Sequence, residues 1–157
     1  MGVDGRGGAG RGREGGLLSE AVFVFPAEVR FRDVDALGHV NNAVYLTYLE
    51  SARIAWWLRL TGRSGLAGMD VILARVEIDY RSPAVYGEGL EVTVRCVSFR
   101  RSSLVMTQRI TERRTSRLVA EARKVLVHYD FEAQRATPLP PDLRRRLLAD
   151  GAVEETA

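Results

Sequence analysis

Two carboxylates, a glycine, a histidine and two asparagines fall within ten residues of the segment RFRDVDALGHVNNAVYLTYLE, as Asp33, Asp35, Gly38, His39, Asn41 and Asn42. A carboxylate can attack a carbonyl carbon or deprotonate a water molecule. Directly after the asparagines an apolar helix begins, and the first N–H groups of any helix lack intrahelical partners. Those amides and the helix dipole favour negative charge, so they can polarise a carbonyl and hold the oxyanion of a tetrahedral intermediate. The bland account is that Asp33 and Asp35 are turn and capping residues, as aspartate often is. Spacing alone leaves the two readings level.

Other chemistries are easier to set aside. The stretch GRSG at 62–65 is one residue short of a nucleophile elbow and follows a helix rather than a strand. No phosphate-binding P-loop and no dinucleotide fingerprint occur. The single cysteine, Cys96, falls mid-strand on an apolar face and reads as core, which removes disulfides and cysteine-based zinc sites. Two histidines, His39 and His128, are too few and too far apart to suggest a metal, and His128 in VLVHYD reads as structural. No cofactor and no metal are expected.

The elements that must position these residues follow from periodicity. Residues 43–61 contain no Gly or Pro and repeat apolar positions at three-and-four spacing, which predicts a helix with Asn41 or Asn42 as N-cap and Gly62 as stop. Its apolar face is so wide that the helix should be enclosed by other structure. Strands are expected at 21–32, 71–81, 88–99, 103–112 and 117–129, the first an edge or bulged strand because of Pro26. Strand, long helix, then four strands in a meander predicts an α+β domain, an antiparallel sheet around one central helix.

The 157 residues, 46% apolar and 27% charged, suit one soluble domain. No run is long enough to span a membrane, and the N-terminus lacks the apolar core of a secretory signal, so a cytoplasmic location is expected. Residues 1–17 read as a disordered Gly/Arg-rich leader, 18–137 as the folded domain, and 138–157 as an extension with a short peripheral helix. The arginines of the leader have no aromatic interleaving, and nucleic acid is not an expected partner. Charge is uneven: residues 95–124 hold nine basic residues against two acidic ones, +7 in a chain of net +3. Such a concentration suits a polyanionic ligand.

The segment DVDALGHVNNAVYLTYLESAR resembles the D-x-D-x-x-G-x-V signature of hot-dog-fold acyl-CoA thioesterases. This is the 4-hydroxybenzoyl-CoA thioesterase-like family, which includes Tol–Pal-associated and long-chain acyl-CoA members. The likeness continues through VEIDYRSPAVYGEGLEV, SLVMTQRI and LVAEARKVLVHYD, so it spans residues 27–130. It implies hydrolysis of an acyl-CoA thioester to a free acid and CoA. Asp35 becomes the catalytic carboxylate, as nucleophile or general base, and the backbone N–H of Asn42 the group that polarises the thioester. Asp33 becomes a supporting residue, and His39 and Tyr45 substrate contacts. Some hot-dog thioesterases use a carboxylate on the central helix, where Glu50 stands; its i,i+3 spacing to Arg53 instead suggests an ion pair.

The nucleotide end of CoA would find its phosphate partners at Arg100, Arg101, Ser102 and Ser103, between two strands of the basic stretch. The bland reading there is an exposed basic turn. The resemblance also implies a homodimer or homotetramer with active sites between protomers. Two other classes compete: a hot-dog hydratase or dehydratase using Asp35 with His39, and a non-catalytic acyl-CoA-binding domain.

Overall fold

Tyr45, Tyr48, Leu49, Ala52, Trp56 and Trp57 are all buried along one face of a 20-residue helix, α1 (Asn42–Thr61), about 30 Å long. Asn41 caps it, its Oδ1 accepting the Ala43 N–H at 2.9 Å, and Gly62 ends it in the left-handed region at φ 68°. The expected helix is therefore present, capped by the first of the two asparagines. Arg59 lies over the Phe23 ring, and Leu46 remains exposed, so enclosure by the chain itself is incomplete.

The computed structural model describes residues 22–65 and 68–156; the leader expected over 1–17 lies outside the described residues. The strands are β1 (Phe23–Glu28), β2 (Val71–Tyr80), β3 (Gly89–Phe99), β4 (Ser103–Glu112) and β5 (Leu118–Asp130), with short β6 (Arg135–Ala136) and β7 (Val153–Glu154). A second helix, α2 (Pro141–Ala149), precedes β7. The first strand is shorter than the expected 21–32. After Val29 the chain leaves the sheet and coils into a 3₁₀ turn at Phe31–Asp33, because the Asp33 carboxylate accepts the Arg30 N–H at 2.9 Å and closes the turn on itself.

The sheet runs β1-β3-β4-β5-β2, so β3, β4 and β5 form a meander while β2 lies at the far edge beside β5. The expectation of four strands in one meander is corrected here. A hairpin between β2 and β3 would need a tight turn; instead residues 81–88 cross the end of the sheet. Ala84, fully buried, anchors the crossing: its carbonyl accepts the Val40 N–H at 2.9 Å, and its N–H donates to the Tyr45 hydroxyl at 3.1 Å. Pro26 sits on the edge strand β1, where a missing N–H is tolerated.

Leu90, Val92, Val94 and Cys96 of β3 face α1 and are buried, as their alternation requires. Helix α1 packs most closely on β3 and β1, and the β2 edge is left half open. Residues 138–156 pack onto the same core through Leu139, Leu143, Leu147 and Ala152. Among their arginines, Arg145 is exposed, Arg144 pairs with Glu154, and Arg146 donates to the Leu60 carbonyl. The whole is the α+β hot-dog arrangement, a sheet curved around one long helix.

Candidate functional site

The loop from Asp33 to Asn42 is built by its own polar residues. Asp33 is buried, and one of its oxygens accepts both the Arg30 N–H and the Tyr48 hydroxyl, at 2.9 and 2.8 Å. Burial, followed by that carboxylate, keeps the Tyr48 phenol protonated well above the usual range. Asp33 therefore ties the loop to α1. The Asn41 N–H donates to the Asp33 carbonyl at 2.9 Å, and a bridge between Val34 and Val40 closes the loop. Gly38 takes φ 80°, a conformation costly for any residue with a Cβ.

At the tip, Asp35 is only half buried. Its Oδ1 accepts the Leu37 N–H at 2.8 Å, and its own N–H donates to the His39 carbonyl at 2.9 Å. The second carboxylate oxygen has no partner among the described residues. Asp35, Leu37, His39, Val40, Asn42 and Tyr45 line a cleft of roughly 310 Å³ with residues 80–83. Asn42, first in α1, lines this cleft with Asp35, and its backbone N–H has no acceptor among the described residues. No hydrogen bond joins the side chains of Asp35 and His39.

Tyr80 and Ser82 belong to the same cleft and were not foreseen. The Tyr80 hydroxyl donates to the Asn42 carbonyl at 3.0 Å and its ring packs edge-on against Tyr45. Both enter from the end of β2, some forty residues further along the chain, so no local spacing could announce them. Tyr45 is buried, with burial raising its pKa and the Ala84 amide partly offsetting that.

Arg100, Arg101, Ser102 and Ser103 gather as expected in one place, a cleft of about 510 Å³ that also takes in Arg144, Glu154 and Glu155. Arg100 is held at 2.9 Å by Glu155, whose carboxyl is pulled below its usual range by hydrogen bonds from Ser98 and Arg100. This cleft is remote from Asp35 in the same protomer. On β5, Ala120 is opposite Tyr80 while Val127 is opposite Ser103, and those seven residues span about 23 Å.

Glu50 pairs with Arg53 at 3.2 Å, and its side chain is largely exposed. His128 is buried between Thr137, whose hydroxyl is 2.8 Å from Nδ1, and Asp70, 3.3 Å from Nε2. Cys96 is fully buried, and burial pushes its thiol up to about 12, so it is no nucleophile.

The sequence model of the thioesterase-like superfamily matches residues 29–147. The long-chain acyl-CoA thioesterase FadM of Escherichia coli K12 is 32% identical over 125 residues, covering 76% of this chain and 92% of its own. The acyl-CoA thioester hydrolase YbgC of Escherichia coli O6:H1 is 30% identical, covering 80% and 96%. Among solved structures, a Thermus thermophilus thioesterase complexed with coenzyme A and Zn superposes with a TM-score of 0.73 at 40% identity, covering 82% of this chain and 92% of its own.

Proposed function

The chain belongs to the thioesterase-like superfamily as a hot-dog thioester hydrolase, and we propose that it cleaves acyl-CoA thioesters with Asp35 as the catalytic carboxylate and the Asn42 amide as the electrophilic donor. The observation that carries this reading is the shared cleft, lined both by a carboxylate with one free oxygen and by the first residue of α1, whose N–H is unengaged. The thioester oxygen accepts from Asn42, whose position at the helix start adds the dipole's positive end. Asp35 then either attacks the carbonyl carbon, giving an anhydride that water opens, or takes a proton from the water that attacks. In both routes the C–S bond breaks and the CoA thiolate leaves and is protonated. In the general-base route the free acid carries the water's oxygen, whereas water opening the anhydride at the Asp35 carboxyl carbon leaves its oxygen on Asp35 and releases the acid with an oxygen from Asp35.

Each site is completed by a second copy of the chain. The β2 edge has unpaired backbone groups, and antiparallel pairing with its own copy about the strand's centre sets Tyr80 against the partner subunit's Val71. Val71 pairs with His128, whose N–H donates to the Ser102 carbonyl. The partner's Arg100–Ser103 turn is thereby carried toward this protomer's Asp35 cleft, where His39 and Tyr45 contact the acyl end and the arginines contact the nucleotide phosphates.

Thiol release with short, long and aromatic acyl-CoAs measures the activity. Asp35→Asn should lower kcat by about 10²–10⁴-fold, the scale of a positioned acid–base group, with the melting temperature nearly unchanged. Retention of most of the rate would move the catalytic role to Glu50. Single turnover in ¹⁸O water, followed by mass analysis of the Asp35 peptide, separates the two routes.

A further inference from the structure

The unsatisfied polar atoms of the interior are not scattered. Three of the four buried side-chain atoms without a hydrogen-bond partner among the described residues are Arg53 Nε, Trp57 Nε1 and Gln108 Oε1. Arg53 and Trp57 fall on one stripe of α1 with Asn42 and Leu46, at i, i+4, i+11 and i+15. That stripe is the flank toward β5, whose inward residues are buried, and the half-open β2 edge beyond it. Gln108 meets it from β4, its Nε2 bound to the Leu49 carbonyl at 2.8 Å, which fixes the orphaned oxygen. Lys124, the chain's only lysine, meets it from β5; it is 2% exposed and makes no hydrogen bond or ion pair among the described residues.

Buried polar groups in native proteins are almost always paired, with protein or with ordered water, so a cluster of orphans marks a place where a polar ligand group would find partners. Its chemistry can be read from what is left over. Arg53 Nε, Trp57 Nε1 and the Lys124 ammonium are all donors, against one orphaned acceptor, Gln108 Oε1. The charge is also unbalanced: Glu50, the one carboxylate that acts on Lys124, is already engaged by Arg53 and largely open to water. Desolvation and the neighbouring Arg53 lower the Lys124 ammonium to about 8, the mark of a cation lacking its own anion.

We infer that this flank receives the far end of the acyl group, and that Lys124, Arg53 and Trp57 select acyl chains ending in a carboxylate. The inference rests on the thioesterase reading of the Asp35 cleft. A carboxylate offers acceptor sites for all three donors and supplies the missing negative charge. The path to it is apolar: Leu46 on the helix, and Val76, Ile78 and Tyr80 on β2, half buried or exposed, run from the cleft along the same flank. The distance is set by register. Tyr80 is opposite Ala120 and Val76 is opposite Lys124, four residues along β5, or about 13 Å.

The test compares ω-carboxyacyl-CoA thioesters with unsubstituted acyl-CoAs of matched chain length. Wild-type kcat/KM should favour the carboxylated substrate by about tenfold or more at the length that spans the gap, and less at shorter and longer chains. Lys124→Met and, separately, Arg53→Leu should collapse that ratio toward one, with melting curves confirming that each variant is folded. Calorimetric binding of the same thioester pairs to the Asp35→Asn protein gives the ratio without turnover, so a failure of the hydrolase reading and a failure of the carboxylate site are distinguished. Preference for unsubstituted chains at every length, or equal loss on both members of a pair in both variants, would overturn the inference.

Discussion

Asp33 and Asp35 are two residues apart and do opposite kinds of work. Asp33 is buried and engages one oxygen with both Arg30 and Tyr48, while Asp35 keeps an oxygen free in the cleft. Tyr48→Phe removes one hydrogen bond to a buried carboxylate, a change of about 1.5–3 kcal/mol. The expected result is a melting temperature lower by several degrees with kcat reduced only a few-fold, because the loop loosens while Asp35, the proposed catalytic group, is kept. Asp33→Asn should behave likewise, and Asp35→Asn in the reverse sense. Thermal melts and initial rates on the three variants check the contrast; a Tyr48→Phe protein that is as stable as wild type and catalytically dead would place Asp33 in the chemistry.

At the scale of elements, the β4–β5 hairpin is set by a single carboxylate. Glu112 accepts the N–H groups of Arg114 and Thr115 and the Thr115 hydroxyl, and these bonds hold its pKa at about 2. The folded-state value lies below the unfolded one of about 4.3, so the stabilisation is fully present above that value and is lost as pH falls toward 2. Glu112→Gln should therefore be less stable than wild type at pH 6 to 7, and the difference should shrink steadily as the pH falls through the range between 5 and 2. Urea midpoints for both proteins across that range measure it; a gap independent of pH would mean that shape rather than charge matters at this turn. That hairpin, like α1 and its caps, was legible in the sequence, because turn residues, alternation and the Asn41 and Gly62 signals are local. The Asp33–Asn42 loop was legible as a polar turn ahead of the helix for the same reason, while spacing alone left the role of its carboxylates open. What was not legible is whatever depends on pairing between distant segments: the placement of β2 beside β5, the entry of Tyr80 and Ser82 into the cleft, and the meeting of Lys124 with Arg53 under α1. Lys124 stands in RLVAEARKVLVHY as one polar position in a strand, and only the β5 register turns it inward.

At the scale of the whole molecule, the Asp35 cleft and the Arg100–Ser103 turn lie at opposite ends of the sheet, about 23 Å apart along β5. In the proposed dimer, antiparallel pairing of β2 with its copy joins the Asp35 cleft of one protomer to the Arg100–Ser103 turn of the other, and that arrangement has a consequence that a single-protomer site lacks. Asp35→Asn chains have an inert cleft but intact arginines. Arg100→Ala/Arg101→Ala chains have an intact cleft but serve their partner poorly, so KM for acyl-CoA should rise while kcat stays within a few-fold, since phosphate contacts remote from the thioester act equally in ground and transition states. Exchange of subunits between the two proteins produces a heterodimer in which one site carries both defects and the other carries neither. With random exchange of equal amounts, half the dimers are mixed and half their sites are whole, so about a quarter of wild-type activity should return at acyl-CoA concentrations below KM. An acyl-pantetheine substrate, which has no nucleotide to hold, should show no such recovery, because the arginine variant is already active on it. If the arginines serve their own protomer's cleft, the mixed dimer contains only defective sites and mixing restores nothing.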